Sequence, residues 1–268
     1  MEWLSRMTIL IKSLTRNSKK NNIEWIERME SKNINWAMWG GWFDSDGSFS
    51  FSNSKLSSKF VVVLALKDKD PVELFAKTFE SSLEYMEYWT TPYNKDGRRT
   101  PHLSKTFKSR FKRDRALWFA NKIKKFILQK TNKIKPFLDK QNINYKFYSE
   151  QWTKEEWIYY ITSLIEGDGT FYDRNKNTKT IVINSSNESF LKYISNQLQL
   201  HKIMNFGKIS KCRGHPKDDG SFSIMYSQSV RGKLPELKNV LKTLLPHMTM
   251  ERKRQNVLKT LAWIDAKL

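Results

Sequence analysis

The sequence predicts an α+β protein made of two pseudo-symmetric, ααββαββα-like halves, each with helices behind an antiparallel, saddle-shaped sheet. Three observations predict it. One residue pattern is written twice, from Trp39 to Gly47 and again from Ile161 to Gly169. Each copy ends an apolar helical stretch and opens a strand. After each copy, strands, polar loops and turn residues follow in the same order. The length of 268 residues suits one large domain or two of about 130 residues. Hydrophobic residues make up 39%, with 10 Trp and 16 Phe, enough for a real core.

The elements follow in chain order. Residues 1–30 read as a basic N-terminal extension. From Trp3 to Ile23 there is no acidic residue, and Arg6, Lys12, Arg16, Lys19 and Lys20 alternate with Leu4, Met7, Ile9, Leu10, Ile11 and Leu14. This pattern fits an organellar targeting helix, and equally a segment lying on a polyanion or on the domain surface. The first half spans 31–143. It starts with an apolar helix, about Asn35 to Asp44, followed by a strand, a basic loop from Asn53 to Lys59 and an apolar strand from Phe60 to Lys67. A helix begins near Asp70-Pro71, two strands flank a turn at Asp96-Gly97, and a helix over Asp114 to Leu128 closes the half.

The polar segment Lys140 to Ser149 holds the boundary, and the second half spans 144–268. Thr153 and Glu156 form a capping box, so a helix begins there and runs into Glu166. The same succession follows: a loop from Asn175 to Lys179, a strand from Thr180 to Asn184 and a helix near Asn187-Glu188. A turn at Asp219-Gly220 and a closing helix, Leu234 to Leu245, complete it.

Charge narrows the function. There are 48 Lys and Arg against 27 Asp and Glu, a formal net charge of +21. An excess of this size strains a compact fold by self-repulsion and suits a polyanionic partner, nucleic acid before an anionic membrane surface. One cysteine, Cys212, excludes a disulfide framework. His201, Cys212, His215 and His247 are too scattered for zinc. The longest apolar run, Phe60 to Leu66, is far short of the roughly 20 residues of a spanning helix, so no membrane partner is expected.

The repeated motif carries the chemistry. Gly40-Gly41 and Thr162-Ser163 occupy equivalent turns of the two motif helices, where small residues allow close backbone approach. Each helix then ends in an acidic residue, a small residue, Asp and Gly, the Gly read as a left-handed stop. If the helices pack about a pseudo-two-fold axis, Asp46 and Asp168 meet there. Crowded carboxylates repel unless a divalent cation lies between them. Hard oxygen ligands suit Mg²⁺, which completes its shell with water and phosphate oxygens and assists phosphodiester cleavage. A calcium EF-hand is excluded, because Gly47 directly follows Asp46 and no glutamate stands at the required distance.

The paired motifs, their places at helix ends and the elements that follow resemble the LAGLIDADG homing endonucleases in their single-chain form, over nearly the whole chain from about Asn33. The resemblance puts the motif helices at the interface between the halves. It implies a monomeric, intron-encoded enzyme that cuts both strands of a long double-stranded DNA site with Mg²⁺, its sites also open to Mn²⁺ or Ca²⁺. Asp46 and Asp168 are then the metal-binding and catalytic acids, Ser45 and Gly167 lend backbone carbonyls to the metal, and Asp44 and Glu166 are structural caps. Trp39, Trp42 and Thr162-Ser163 depart from the family's usual residues in packing rather than chemistry. The water-activating basic residues match poorly. Lys130 and Lys67 are the candidates of the first half; in the second, Asn184 matches Lys67, while Glu251, Arg252 and Lys253 compete for the other place.

Alternating strands laid in a major groove would turn every second side chain to the bases. Ser50, Ser52, Asn53, Lys55, Arg98, Arg99, Lys105, Lys108, Arg174, Lys176, Lys208, Lys211, Arg213 and Lys217 are the expected DNA contacts. The basic runs Lys105–Arg115 and Glu251–Arg254 are either phosphate clamps or solvated helix faces. The family also includes RNA-binding intron maturases, making intron RNA a second partner to test, and a non-cleaving DNA-binding regulator is a further alternative. Abundant Lys, Asn and Ile fit an AT-rich organellar genome, mitochondrial or chloroplast.

Overall fold

The computed structural model describes residues 20–54, 57–90, 101–148, 150–174, 178–216 and 221–268. Residues 1–19, the Asp96-Gly97 and Asp219-Gly220 turns, and Lys55, Arg98, Arg99, Lys176 and Lys217 lie outside them.

Residues 20–30 form a helix, α1. The first half continues with α2 (Trp36–Ser45), β1 (Gly47–Ser54), β2 (Ser57–Leu66), α3 (Lys69–Thr78), β3 (Leu83–Thr90), β4 (His102–Lys112), α4 (Asp114–Ile123) and α5 (Thr131–Asp139). The second repeats it as α6 (Lys154–Gly167), β5 (Gly169–Arg174), β6 (Thr178–Ser185), α7 (Glu188–Leu200), β7 (Ser210–Pro216), β8 (Phe222–Ser229), α8 (Leu234–Leu244) and α9 (Glu251–Asp265). From each motif helix onward the order is αββαββαα, so a second closing helix, α5 or α9, ends each half.

Each half carries one antiparallel four-stranded sheet, ordered β1-β2-β4-β3 and β5-β6-β8-β7. Phe60, Val62, Leu64 and Leu66 of β2 are buried on one face, and Ile181 and Ile183 of β6 match them. Helices cover this face; the opposite face turns to solvent. The Asn53–Lys59 segment, read as a loop, is shorter than expected: the ladder runs on through Ser52↔Lys59 to Ser54↔Ser57. Polar composition reads as loop, but a two-stranded ribbon projecting into solvent needs no apolar face to complete its backbone hydrogen bonds.

The two cores are built differently. The first is aromatic, with Trp39, Phe43, Phe75, Phe79 and Phe119 each at most 1% exposed. Trp39 stands edge-on to Phe75 at 5.2 Å, an arrangement that suits ring quadrupoles. The second is mainly aliphatic, around Ile161, Leu164, Leu191, Ile194 and Leu241, joined by Trp152, Trp157, Tyr160 and Phe190. Helix α1 belongs to the first core: Trp25 and Met29 are buried, and Trp25 Nε1 donates to the Phe79 carbonyl at 3.0 Å.

The motif helices α2 and α6 pack together between the halves. Asn35 caps α2, its side chain accepting from the Met38 amide at 2.9 Å, and the Thr153–Glu156 capping box starts α6. Two levels of contact set their spacing. A Cβ on Gly41 would stand 2.2 Å from the Tyr160 carbonyl oxygen and 2.9 Å from Ser163 Cβ. One on Gly167 would stand 2.1 Å from Ser45 Oγ and 2.5 Å from Asp46 Oδ2. At each level, glycine from one helix meets serine from the other, Gly41 with Ser163 and Ser45 with Gly167. Gly40, also read as an interface residue, instead faces Phe126, whose Cβ would lie 2.4 Å from a Cβ there.

The motif-ending glycines correct one expectation. Neither Gly47 nor Gly169 has a positive φ, so neither is a left-handed stop. They open β1 and β5 directly, and their small size is needed for contact. An added Cβ would lie 2.5 Å from Phe43 Cα at Gly47 and 2.7 Å from Ile165 Cα at Gly169.

Candidate active site

Asp46 and Asp168 are the C-caps of α2 and α6, in backbone conformations close to helical (φ −108° and −89°). The close packing of Gly167 on Ser45 and Asp46 brings both carboxylates to the junction of the halves. Asp46 Oδ2 is buried and has no hydrogen-bond partner among the described residues. Burial raises the Asp46 carboxyl above its ordinary value, against the charges of Lys130 and Lys253. Asp168 is pushed up to about 6, by burial and then by the negative charge of Asp46. The two acids strain each other, as like charges in a poorly solvated place must.

The preceding acids are anchors. Asp44 is fully buried, and its carboxylate accepts from the Leu128 amide at 2.6 Å, the Lys130 amide at 3.0 Å and the Tyr160 hydroxyl at 2.7 Å. Glu166, also fully buried, accepts from the Thr249 and Met250 amides at 2.8 and 2.6 Å and from the Thr249 hydroxyl at 3.1 Å. Each therefore ties its motif helix to the segment that opens the last helix of the same half, and each segment delivers a lysine.

Lys130 Nζ donates to the carbonyls of Ser45 and Gly47, both at 2.7 Å. Lys253 Nζ donates to Gly169 at 2.7 Å, Ile165 at 2.9 Å and Gly167 at 3.3 Å. The last carbonyls of a helix lack intrahelical partners and favour a cation, and these ammonium groups supply both needs. Burial lowers both lysines, Lys253 to about 8 with help from the Arg252 charge, while the site carboxylates hold both up.

Lys253 thus stands at the motif of the second half as Lys130 does at the first. Its competitors are engaged elsewhere: Arg252 forks onto Asp68 at 2.8 and 3.0 Å, and Glu251 is exposed. Lys67 is exposed on the bend after β2 and bonds to neither aspartate. Asn184 is half-buried, opposite Ser227 on the solvent face of its sheet. The sequence signal for Lys253 lay in its place just after a buried cap; its three-residue offset from that cap hid the equivalence with Lys130.

The carboxylates fit a divalent cation. One offers a buried oxygen with no partner, the other is destabilised when ionised, and both gain from a positive charge between them. Among the described residues no third His, Cys, Asp or Glu completes a metal-binding group, which leaves coordination positions for water and substrate oxygens. The Ser45 and Gly167 carbonyls, expected as further ligands, accept the lysine hydrogen bonds given above.

The expected DNA contacts separate by strand register. On β1, Ser50 and Ser52 lie on the solvent face and are exposed. Lys108 shares that face, opposite Ala65. Lys105 does not: with Phe107 and Phe111 it falls on the helix-side face, where it pairs with Glu87 at 3.4 Å. Lys211, opposite Tyr226, is also on the helix side of its sheet, and Lys208 is exposed just before β7. Asn53 lies next to the end of β1, Arg174 ends β5 and Arg213 lies in β7. Arg110, unselected within its basic run, is on the solvent face with Lys108 and bonds Glu84 at 3.1 Å.

No family model and no curated relative matches the sequence. Solved structures do match. A LAGLIDADG meganuclease, I-AabMI, bound to uncleaved DNA superposes with a TM-score of 0.53 at 12% identity, over 87% of this chain and 93% of that one. The LAGLIDADG homing endonuclease I-GzeII in complex with its DNA target gives 0.53 at 12% identity, over 88% and 92%. These likenesses are of fold, over most of this chain. The chain has the LAGLIDADG homing endonuclease fold, in its single-chain, two-motif form.

Proposed function

We propose that this chain is a divalent-metal-dependent endonuclease that hydrolyses both strands of a specific double-stranded DNA site. One observation carries the reading: two mutually repelling, largely buried carboxylates, Asp46 and Asp168, stand at the ends of two packed helices, each beside a lysine, half-buried Lys130 and buried Lys253. A structural pair would be expected to be bonded and relaxed; this one has an unpartnered oxygen and a carboxyl held near 6. The net charge of +21 and the polar, basic faces of two antiparallel sheets suit a DNA duplex. The two solved relatives described above were crystallised with DNA, which supports the same substrate.

Asp46 and Asp168 would hold the metal, Mg²⁺ in the first instance. When bound, such an ion lowers the pKa of water and stabilises the leaving oxygen. The protein's own groups set the stage. Asp44 and Glu166 fix the segments that carry Lys130 and Lys253. Those lysines bring positive charge to the place where phosphate charge must be accommodated, and Lys253, near 8, exchanges a proton at Nζ close to neutral pH. Gly41, Ser163, Ser45 and Gly167 hold the two motif helices close, so that each carboxylate lies in the field of the other. One motif per half supplies one acid towards each DNA strand, consistent with a monomer serving an intron-borne mobile element.

The test is cleavage of a randomised duplex library with Mg²⁺ by the wild type, Asp46→Asn and Asp168→Asn. Site-specific double-strand cuts that vanish in both variants, with binding retained, support the reading. Tight binding without cutting by the wild type refutes it and makes RNA the next substrate.

A further inference from the structure

The two halves do not use their last helices alike. Counted from the caps of α5 and α9, Lys130 corresponds to Met250, Asn132 to Arg252 and Lys133 to Lys253. The motif lysine of the second half is thus the third residue of its helix, and that of the first half is the cap itself. The position is spent in one half and spare in the other. Lys253 is turned inward, 7% exposed, onto three carbonyls. Lys133, at the matching turn, is exposed, because Lys130 already occupies the motif carbonyls.

The neighbours repeat the contrast. In the second half, Arg252 is held in a fork by Asp68, and Arg254 pairs with Glu251 at 3.5 Å. In the first, the side chains of Asn132 and Lys133 bond to no other described residue. They line a cavity of about 600 Å³ between the free edge of β1 and α5, with Ser48, Ser50 and Lys130 around it. Ser48 and Ser50 lie on the solvent face of β1, the two residues next but one along the chain from Asp46 and Ser48 respectively. The cavity offers an uncommitted ammonium, an amide and two hydroxyls, and among the described residues no carboxylate lines it. That donor set, in reach of Lys130 and open to the solvent face, suits an anionic oxygen cluster.

We propose that this cavity binds a backbone phosphate of the DNA next to the one cut at the first motif, with Lys133 as its positioning residue, and that the second half holds its strand without this contact. The two strands are then gripped unequally and cut at different rates. The proposal rests on the DNA-cleaving reading above. The exposed Lys133 side chain makes no hydrogen bond or ion pair with another described residue, so Lys133→Gln leaves the fold and the metal site unchanged.

The experiment uses the full chain and a supercoiled plasmid carrying the site recovered from the randomised library. Conversion to nicked and then linear DNA is followed for the wild type, Lys133→Gln and Lys140→Gln, a control at the far end of α5. Lys133→Gln should slow one strand about tenfold, so that nicked circles accumulate, and should lower the salt slope of binding by about one counterion, while Lys140→Gln changes neither. A methylphosphonate at one phosphate flanking the scissile bond should reproduce the defect in the wild type and add nothing to Lys133→Gln. Unchanged strand rates in Lys133→Gln, with site-specific cutting intact, overturn this inference alone. No cutting or binding of any duplex by the wild type overturns the reading beneath it, and this inference with it.

Discussion

A site built to hold a cation should be relieved by losing one of its charges. In Asp168→Asn the perturbation is a single oxygen replaced by NH₂ at nearly constant volume. The Asp168 carboxyl has an ordinary value of 3.8 and is pushed up to about 6 in the folded protein, by burial and by Asp46. The native state therefore binds the proton more tightly than the unfolded chain, and the contribution of Asp168 to stability falls as pH rises through the window between these values. Above about pH 6 the ionised carboxylate costs the metal-free protein about 3 kcal/mol, at ~1.4 kcal/mol per pH unit of difference. Asparagine mimics the protonated form and escapes that cost. The variant should be more stable than the wild type by about 3 kcal/mol near pH 7.5 and by about half that near pH 5. In a chain of this size the larger figure raises Tm by roughly 6–12 °C. Urea unfolding at both pH values in EDTA measures it. Saturating Mg²⁺ should then stabilise the wild type by about 2.7 kcal/mol at a hundredfold excess over Kd and leave the variant nearly unmoved. A variant less stable than the wild type near pH 7.5, or a gain that does not shrink with falling pH, refutes the account of two carboxylates in mutual strain.

Other expectations follow from the same geometry. Gly41→Ala would stabilise an isolated helix by about 1 kcal/mol; here the added Cβ meets the Tyr160 carbonyl at 2.2 Å, so a loss of about 2–3 kcal/mol is expected in thermal melts. Tyr160→Phe removes the 2.7 Å hydrogen bond to the buried Asp44 carboxylate, and should cost about 1.5–3 kcal/mol in urea unfolding. Lys253→Met and Lys130→Met should each lower the single-turnover cleavage rate about a hundredfold, while Lys67→Met, altering an exposed side chain outside the site, stays within about twofold. If Lys67→Met proves the slower enzyme, the assignment of Lys253 as the partner of Lys130 fails.

Much of the fold, and the place of both motif acids at helix ends, could be read from residues alone, because the signals were local and occurred twice. A capping box at Thr153 and Glu156, an apolar helix and an acid–small–Asp–Gly ending are short-range chemistry, and repetition removed the ambiguity that a single Asp-Gly turn would leave. That the two aspartates would converge also followed, since small residues about one and a half turns before them allow a close helix neighbour. What the local pattern could not carry was direction. Lys105 and Lys108 sit in one basic run, yet an offset of three residues along a strand puts them on opposite faces, and only the pairing of β4 with β2 decides which face is which. Lys130 and Lys253 occupy different helical positions and reach equivalent carbonyls because Asp44 and Glu166, buried through contacts more than 80 residues away in sequence, set where each helix begins. The same tertiary packing explains Gly47 and Gly169, whose lack of a side chain serves contact with the preceding helix turn rather than a left-handed backbone. The sequence by itself thus determined the repeat and the place of the motif acids at the ends of two packed helices. The tertiary structure decided which cations serve them, because a long flexible lysine can be assigned only once the carbonyls it must satisfy are in place.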